Sequence, residues 1–189
     1  MPNDAVQSEE TSPQTTTGMR EYSGVQVLIH NMPYIAMVLL GAAVFVTGFG
    51  ALLPGWLAAI GYAAYGLGGA VWIMVFLCPY CRYYNNNSCP CGYGKIAARL
   101  REKKAPDCFS EKFKKHIPVI VPLWFIPILA GIPLIIRNFS WLLLVLMVVF
   151  ALDAFVVLPL FSSKHGCSEC PQRDSCPWMG RRRKFKAAR

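Results

Sequence analysis

Residues 23–81 contain no Lys, Arg, Asp or Glu. A stretch of that length without charge has few ways to fold. In lipid, a helix satisfies its own backbone and needs no water, whereas a soluble core helix seldom runs so far uncharged. Turn-rich points divide the stretch into two expected spans, 34–53 (YIAMVLLGAAVFVTGFGALL) and 57–77 (LAAIGYAAYGLGGAVWIMVFL), with Pro54, Gly55 and Trp56 as the turn between them. Each has about 20 residues, which at roughly 1.5 Å per residue matches a hydrocarbon layer about 30 Å thick.

Two more spans follow, at 117–136 and 141–161. The third contains Pro118, Pro122, Pro127 and Pro133, so it is expected to bend, with the carbonyls freed by proline satisfied by neighbouring helices. Residues 137–140 alone join it to the fourth, which implies an antiparallel hairpin. The fold class is therefore an all-α membrane protein of four transmembrane helices, arranged as two antiparallel hairpins with small cysteine-rich segments outside the bilayer. A composition of 54% hydrophobic and 15% charged residues over 189 positions agrees with it. The chain has too little amphipathic material to cover four such helices in water. In the second span, the pairs Ala64 and Gly68, and Gly66 and Ala70, have the small-xxx-small spacing that permits close helix approach. Asp153 lies within the fourth span. An acid there is costly, which marks it either as a proton relay or quinone-pocket group, or as a protonated acid bonded to a carbonyl freed by the third span's prolines.

The basic residues set the orientation. Residues 82–116 hold nine Lys or Arg against three acids, residues 162–189 hold eight against two, and the opposite ends of the spans have only Arg137. Short basic segments face the cytoplasm, so both termini are expected there, in the cell membrane. The expected organisation is a disordered acidic tail over 1–24, a membrane domain over 25–161 that includes the cysteine-rich loop 78–116, and a basic cysteine-rich tail over 162–189. The net charge of +9 thus points to anionic lipid and not to nucleic acid. An amphipathic helix expected from Lys95 to Lys104, and the basic run from Arg181 to Lys186, have the same partner.

All eight cysteines lie within residues 78–116 and 162–189, and their spacing is the most specific feature of the chain. The first group is Cys78, Cys81, Cys89 and Cys91, with Cys108 further on; the second is Cys167, Cys170 and Cys176. In a reducing cytoplasm, closely spaced thiols point to metal more than to disulfides. Ligand counting predicts one site from Cys78, Cys81, Cys89 and Cys91 and another from Cys167, Cys170, Cys176 and Cys108, with crossed pairings equally allowed. His165 reads first as a membrane-interface residue and second as an alternative ligand to Cys108. His30 and His116 have no cysteine within a short spacing and read as interfacial residues. Thiolate sites serve both zinc and iron–sulfur clusters.

Cys78, Cys89, Cys170 and Cys176 are each followed by proline, a pairing that resembles bacterial ferredoxin motifs and implies an iron–sulfur cluster of the 4Fe–4S kind. The stretch CSECPQRDSC, residues 167–176, resembles the C-x2-C-x5-C half of the auxiliary-cluster motif in SPASM-type extensions of radical enzymes. Gly180 stands where that motif's fourth cysteine follows, so the resemblance implies a three-cysteine half-site. Cys78-Pro-Tyr-Cys81 resembles the active-site tetrad of glutaredoxins, and four spans with a CxxC pair are similar to the DsbB and VKOR type of membrane oxidoreductase. However, Cys78 ends a helix, where the dipole disfavours a thiolate, and the thiols face the cytoplasm.

The expected function is a membrane-anchored electron-transfer or redox subunit that holds iron–sulfur at the bilayer surface and exchanges electrons with a quinone or a partner protein. A zinc-stabilised membrane scaffold and a thiol-disulfide oxidoreductase are the alternatives.

Overall fold

The structure is a computed structural model that describes residues 20–168, 170–173 and 176–177. Most of the expected acidic tail, and the basic run from Arg181 to Lys186, lie outside the described residues. Those described form seven α-helices: α1 (Gly24–Gly48), α2 (Leu53–Phe76), α3 (Tyr93–Leu100), α4 (Phe109–His116), α5 (Pro122–Arg137), α6 (Trp141–Leu152) and α7 (Leu158–Phe161). Short 3-10 and π turns join several of them into longer rods. Four such stretches, Gly24–Gly48, Leu53–Tyr80, Pro106–Arg137 and Trp141–Gly166, are long and apolar enough to cross a membrane. No more than 22% of the most apolar part of any of them is buried within the protein, so the remaining apolar surface belongs against lipid. The chain reads as a multi-pass membrane protein.

The first helix starts at Gly24 instead of residue 34. Ser23 caps it: its Oγ accepts from Gln26 N at 3.4 Å, while Gln26 Oε1 accepts from Ser23 N at 3.0 Å. This reciprocal capping box nucleates the helix well before the most apolar run begins. The turn to α2 comes earlier too, at Gly50 and Ala51, both with positive φ. Pro54 then falls in the first turn of α2, where its missing N–H is no loss.

α1 is the central helix and packs against α2, α5 and α6. The core is centred on Met37, Phe45, Tyr62, Leu123 and Phe150. Gly41 is required by this packing, because the Tyr62 ring occupies the place where a Cβ would stand. The small residues of α2 that face the bundle are Gly55, Ala59, Gly66 and Gly69. Gly66 meets Val38 of α1, whereas Ala64 and Gly68 point outward. Of the two small-residue pairs in this helix, the one containing Gly66 makes the close approach.

Proline and tyrosine chemistry tie α2 to α5. Pro127 cannot donate to the carbonyl of Leu123, and Tyr62 Oη donates to that carbonyl instead, at 2.9 Å. One turn earlier the Leu123 N–H turns back to Ile120, and the Val119 carbonyl accepts from Tyr65 Oη. On the other side of α2, Tyr34 Oη donates to Gly66 O at 2.7 Å. The neighbouring helix thus supplies donors where proline and the 3-10 turn interrupt the ladder, as the third span's sequence requires.

In the fourth span, residues Asp153–Val157 form a π turn just before Pro159. Pro159 has no N–H for the carbonyl four residues back, and its ring crowds that carbonyl, so the helix widens there. Asp153 begins this turn, 8% exposed, and its Oδ2 has no hydrogen-bond partner among the described residues. The π turn packs against α1, which places Asp153 within the bundle. α3 ends at Leu100, short of the expected Lys104, and buries Gly94 and Ala97 while Ile96 and Leu100 stay exposed.

The Tyr62 bond gives a direct test. Tyr62→Phe is expected to cost about 1 kcal/mol in detergent unfolding, because the Leu123 carbonyl loses its donor. Pro127→Ala restores a backbone N–H for that carbonyl, so Tyr62→Phe in the Pro127→Ala background should cost less. Equal losses in the two backgrounds would show that the hydroxyl does not replace the missing amide.

Candidate metal centre

The N-terminal end of α1, the loop after α2 and the end of the fourth span meet at one end of the bundle. Tyr22 N donates to Asn87 O at 3.1 Å, and Tyr22 Oη to His165 O at 3.4 Å. Asn31 Nδ2 bridges from Val27 O at 2.8 Å to Cys91 O at 3.2 Å, which ties the first cysteine loop to α1.

Local turns aim the thiols. Cys78–Tyr80 is a 3-10 turn that continues α2, and Cys81 N donates to Cys78 O at 3.0 Å. The loop then folds back on itself. Asn86 Oδ1 accepts from both the N and the Oγ of Ser88, and Asn85 N donates to Gly94 O at 3.1 Å. Gly94 allows this fold, since a Cβ there would collide with the Tyr83 carbonyl. After Cys89 and Cys91 the chain reverses at Gly92, whose φ of +72° suits glycine. In the second segment, Cys167 N donates to Ser162 O at 2.8 Å and Arg173 N to Cys170 O at 3.0 Å.

Gln172 joins the two segments. It is 4% exposed, its Nε2 donates to Tyr80 O at 3.1 Å and Pro106 O at 3.3 Å, and its Oε1 accepts from Arg82 N at 3.2 Å. A single amide side chain between Cys170 and Cys176 therefore holds the backbone on both sides of Cys81.

The result is a cavity of about 240 Å³ lined by Cys78, Cys81, Cys89, Cys91, Cys167 and Cys170. Both cysteine segments thus face one space. Aromatic rings of Tyr83, Tyr93, Phe109 and Phe161 complete much of its wall, and among the described residues no Asp, Glu, Lys or Arg lines it. Cys176 does not line the cavity but lies close enough to Cys81 and Cys170 for their charges to interact. Cys108 is exposed and outside the cavity. The pairing of Cys108 with Cys167, Cys170 and Cys176 has no counterpart in this arrangement. His165 is exposed beside Phe161, and His116 stacks on Phe76 at 5.1 Å. His30, which has no cysteine near it in sequence, lines the cavity.

All eight cysteines are free thiols. Among the described residues, no three His, Cys, Asp or Glu side chains meet at a point that would hold a single metal ion. The thiols surround a space instead. Burial pushes Cys81 and Cys91 up to about 12, with neighbouring thiols adding to the shift and a backbone hydrogen bond at Tyr83 opposing it for Cys81. Burial also raises Cys170, against a backbone hydrogen bond from Gln172. An activated redox dithiol needs the opposite shift. A coordinated cation deprotonates thiols outright, so this donor set suits a soft, thiolate-binding metal group.

Two outcomes follow. Gln172→Ala should leave the helices intact by circular dichroism yet speed proteolytic cleavage near Arg173, because the Tyr80 and Pro106 carbonyls lose their shared donor. Unchanged protection would mean the clamp is dispensable. In metal-free protein, Cys108 should alkylate first through its exposure. Cys81 and Cys91 should remain slow at neutral pH and speed up only as pH approaches 12, since a raised pKa keeps them as thiols below it. Rapid neutral labelling of Cys81 would contradict the geometry.

No known protein family, curated protein or solved structure matches the chain.

Proposed function

We propose that this protein is a membrane-anchored electron carrier that holds an iron–sulfur cluster, of the 4Fe–4S kind, between its two cysteine segments at the cytoplasmic surface of the cell membrane. One observation carries this reading: six thiols from two remote segments line one cavity of about 240 Å³, with no charged side chain among its described lining residues. A lone zinc ion draws four sulfurs to about 2.3 Å and leaves little space among them. A polynuclear cluster needs both more room and an apolar wall, and the cavity supplies each. Cys78, Cys81, Cys89, Cys91, Cys167 and Cys170 are the candidate ligands, with Cys176 beside them.

When bound, the cluster supplies one-electron storage at a potential tuned by its surroundings. The chain's own residues hold the site at the end of the bundle and line part of its wall with aromatic rings. The two helix pairs α1–α2 and α5–α6 are read as antiparallel hairpins that present this end to the cytoplasm. The many Lys and Arg in residues 82–116 support that side. A quinone in the bilayer or a redox protein at the surface is the proposed electron partner, and Asp153 is the candidate intramembrane acid for an accompanying proton.

Metal, sulfide and absorption analysis of detergent-purified protein, prepared without oxygen, tests the reading. Brown protein with iron and acid-labile sulfide is expected. Cys81→Ser should lose most of the iron, and Cys108→Ser should lose none. Colourless protein with stoichiometric zinc would replace this function with a structural, scaffolding role. Protein without metal, forming a reversible Cys78–Cys81 disulfide, would favour the thiol-disulfide alternative.

A further inference from the structure

The two cysteine segments share a pattern. The first reads Cys78-x2-Cys81-x7-Cys89 and the second Cys167-x2-Cys170-x5-Cys176, each with Ser before and Pro after its last cysteine. Both follow a membrane-crossing helix. The copies differ in one respect that bears on ligand supply. Cys91 stands two residues after Cys89, but the matching position after Cys176 is Trp178. The first segment thus carries four thiols and the second three.

Cys108 is the sulfur left over, and it is exposed and outside the cavity. The side chain that does reach the cavity is His30 of α1, which lines it together with Cys167 and Cys170. Its Nδ1 lies 2.6 Å from the Gln26 carbonyl oxygen, an acceptor only, so Nδ1 carries the hydrogen and, in the neutral ring, Nε2 has the lone pair. Metal-bound histidines are commonly held this way, with the second ring nitrogen donating to a backbone carbonyl. Edge-on rings of Tyr22 at 5.1 Å and Phe161 at 5.7 Å fix the imidazole plane.

We infer that His30 is a nitrogen ligand of the metal group bound in this cavity, taking one coordination position among the thiols that line it. The inference rests on the metal-binding reading of the cavity and adds a ligand from outside both cysteine segments. It gives α1 a chemical role besides its structural one. Nitrogen in place of a thiolate raises the reduction potential of an iron–sulfur cluster, so His30 sets the centre toward easier reduction than cysteine alone would.

The test uses full-length protein in detergent, prepared without oxygen and grown with 15N-histidine. Pulsed electron paramagnetic resonance of the dithionite-reduced wild type should show a nitrogen coupling that responds to the label. In His30→Cys the coupling should vanish while iron and sulfide are retained, and the midpoint potential should fall. Cys108→Ser should keep both the coupling and the metal. A cluster-containing wild type without histidine coupling, or one whose coupling survives His30→Cys, overturns the inference and leaves the electron-carrier reading standing. If the metal proves to be zinc, the electron-carrier reading fails, and 15N nuclear magnetic resonance takes over. A metal-bound Nε2 lost in His30→Cys would then support the ligand assignment, and a free imidazole would refute it. Protein that binds no metal refutes both.

Discussion

A carbonyl inside an apolar helix needs a donor, and in lipid no water can supply one. The third span has prolines where amide donors would stand, so its backbone is stable only beside side chains that bring hydroxyls to it. Tyr62 and Tyr65 of α2 do so for Leu123 and Val119, while Tyr34 of α1 reaches Gly66. These bonds fix the height of α2 against α1 and α5. Because Cys78 follows directly on α2, they also set the level at which the first thiols emerge from the bundle.

The cysteine-rich end is built on that foundation and adds few regular elements of its own. It depends on side chains that reach across long sequence separations: Asn31 to Cys91, Gln172 to Tyr80 and Pro106, and Tyr22 to His165. Each places a polar group of one segment on the backbone of another. Short loops rich in Gly, Asn and Pro have little hydrophobic area with which to order themselves. Side-chain amides that satisfy buried backbone groups compensate, and they do so with the directionality a ligand set needs. Burial in this end of the bundle raises the thiols of Cys81, Cys91 and Cys170.

Much of the bundle was legible in the chain. Absence of charge over residues 23–81 leaves little choice but helices in lipid, and the prolines of the third span announce that carbonyls there must be satisfied from outside. The helix starts were less legible, because the Ser23 and Gln26 capping box acts locally and carries no hydropathy signal. The small-residue spacing of α2 was visible, yet two overlapping pairs fit it, and only contact with Val38 separates Gly66 from Gly68. The Ser-Cys-Pro repeat in the two cysteine segments was a further signal present in the letters.

The sequence by itself determined that the chain is helical and apolar enough to cross a membrane four times, and that its thiols are gathered in two segments at the span ends. These are properties of composition and order along the chain, which hydrophobic transfer and backbone hydrogen bonding read directly. The tertiary structure decided that both segments open onto one cavity, that Cys108 stays outside it, and that His30 and Gln172 belong to it. Spacing along a chain constrains only neighbours, whereas a site assembled from α1, the loop after α2 and the end of the fourth span depends on how the helices pack. That packing rests on particular contacts, such as Tyr62 lying over Gly41, that no periodicity encodes.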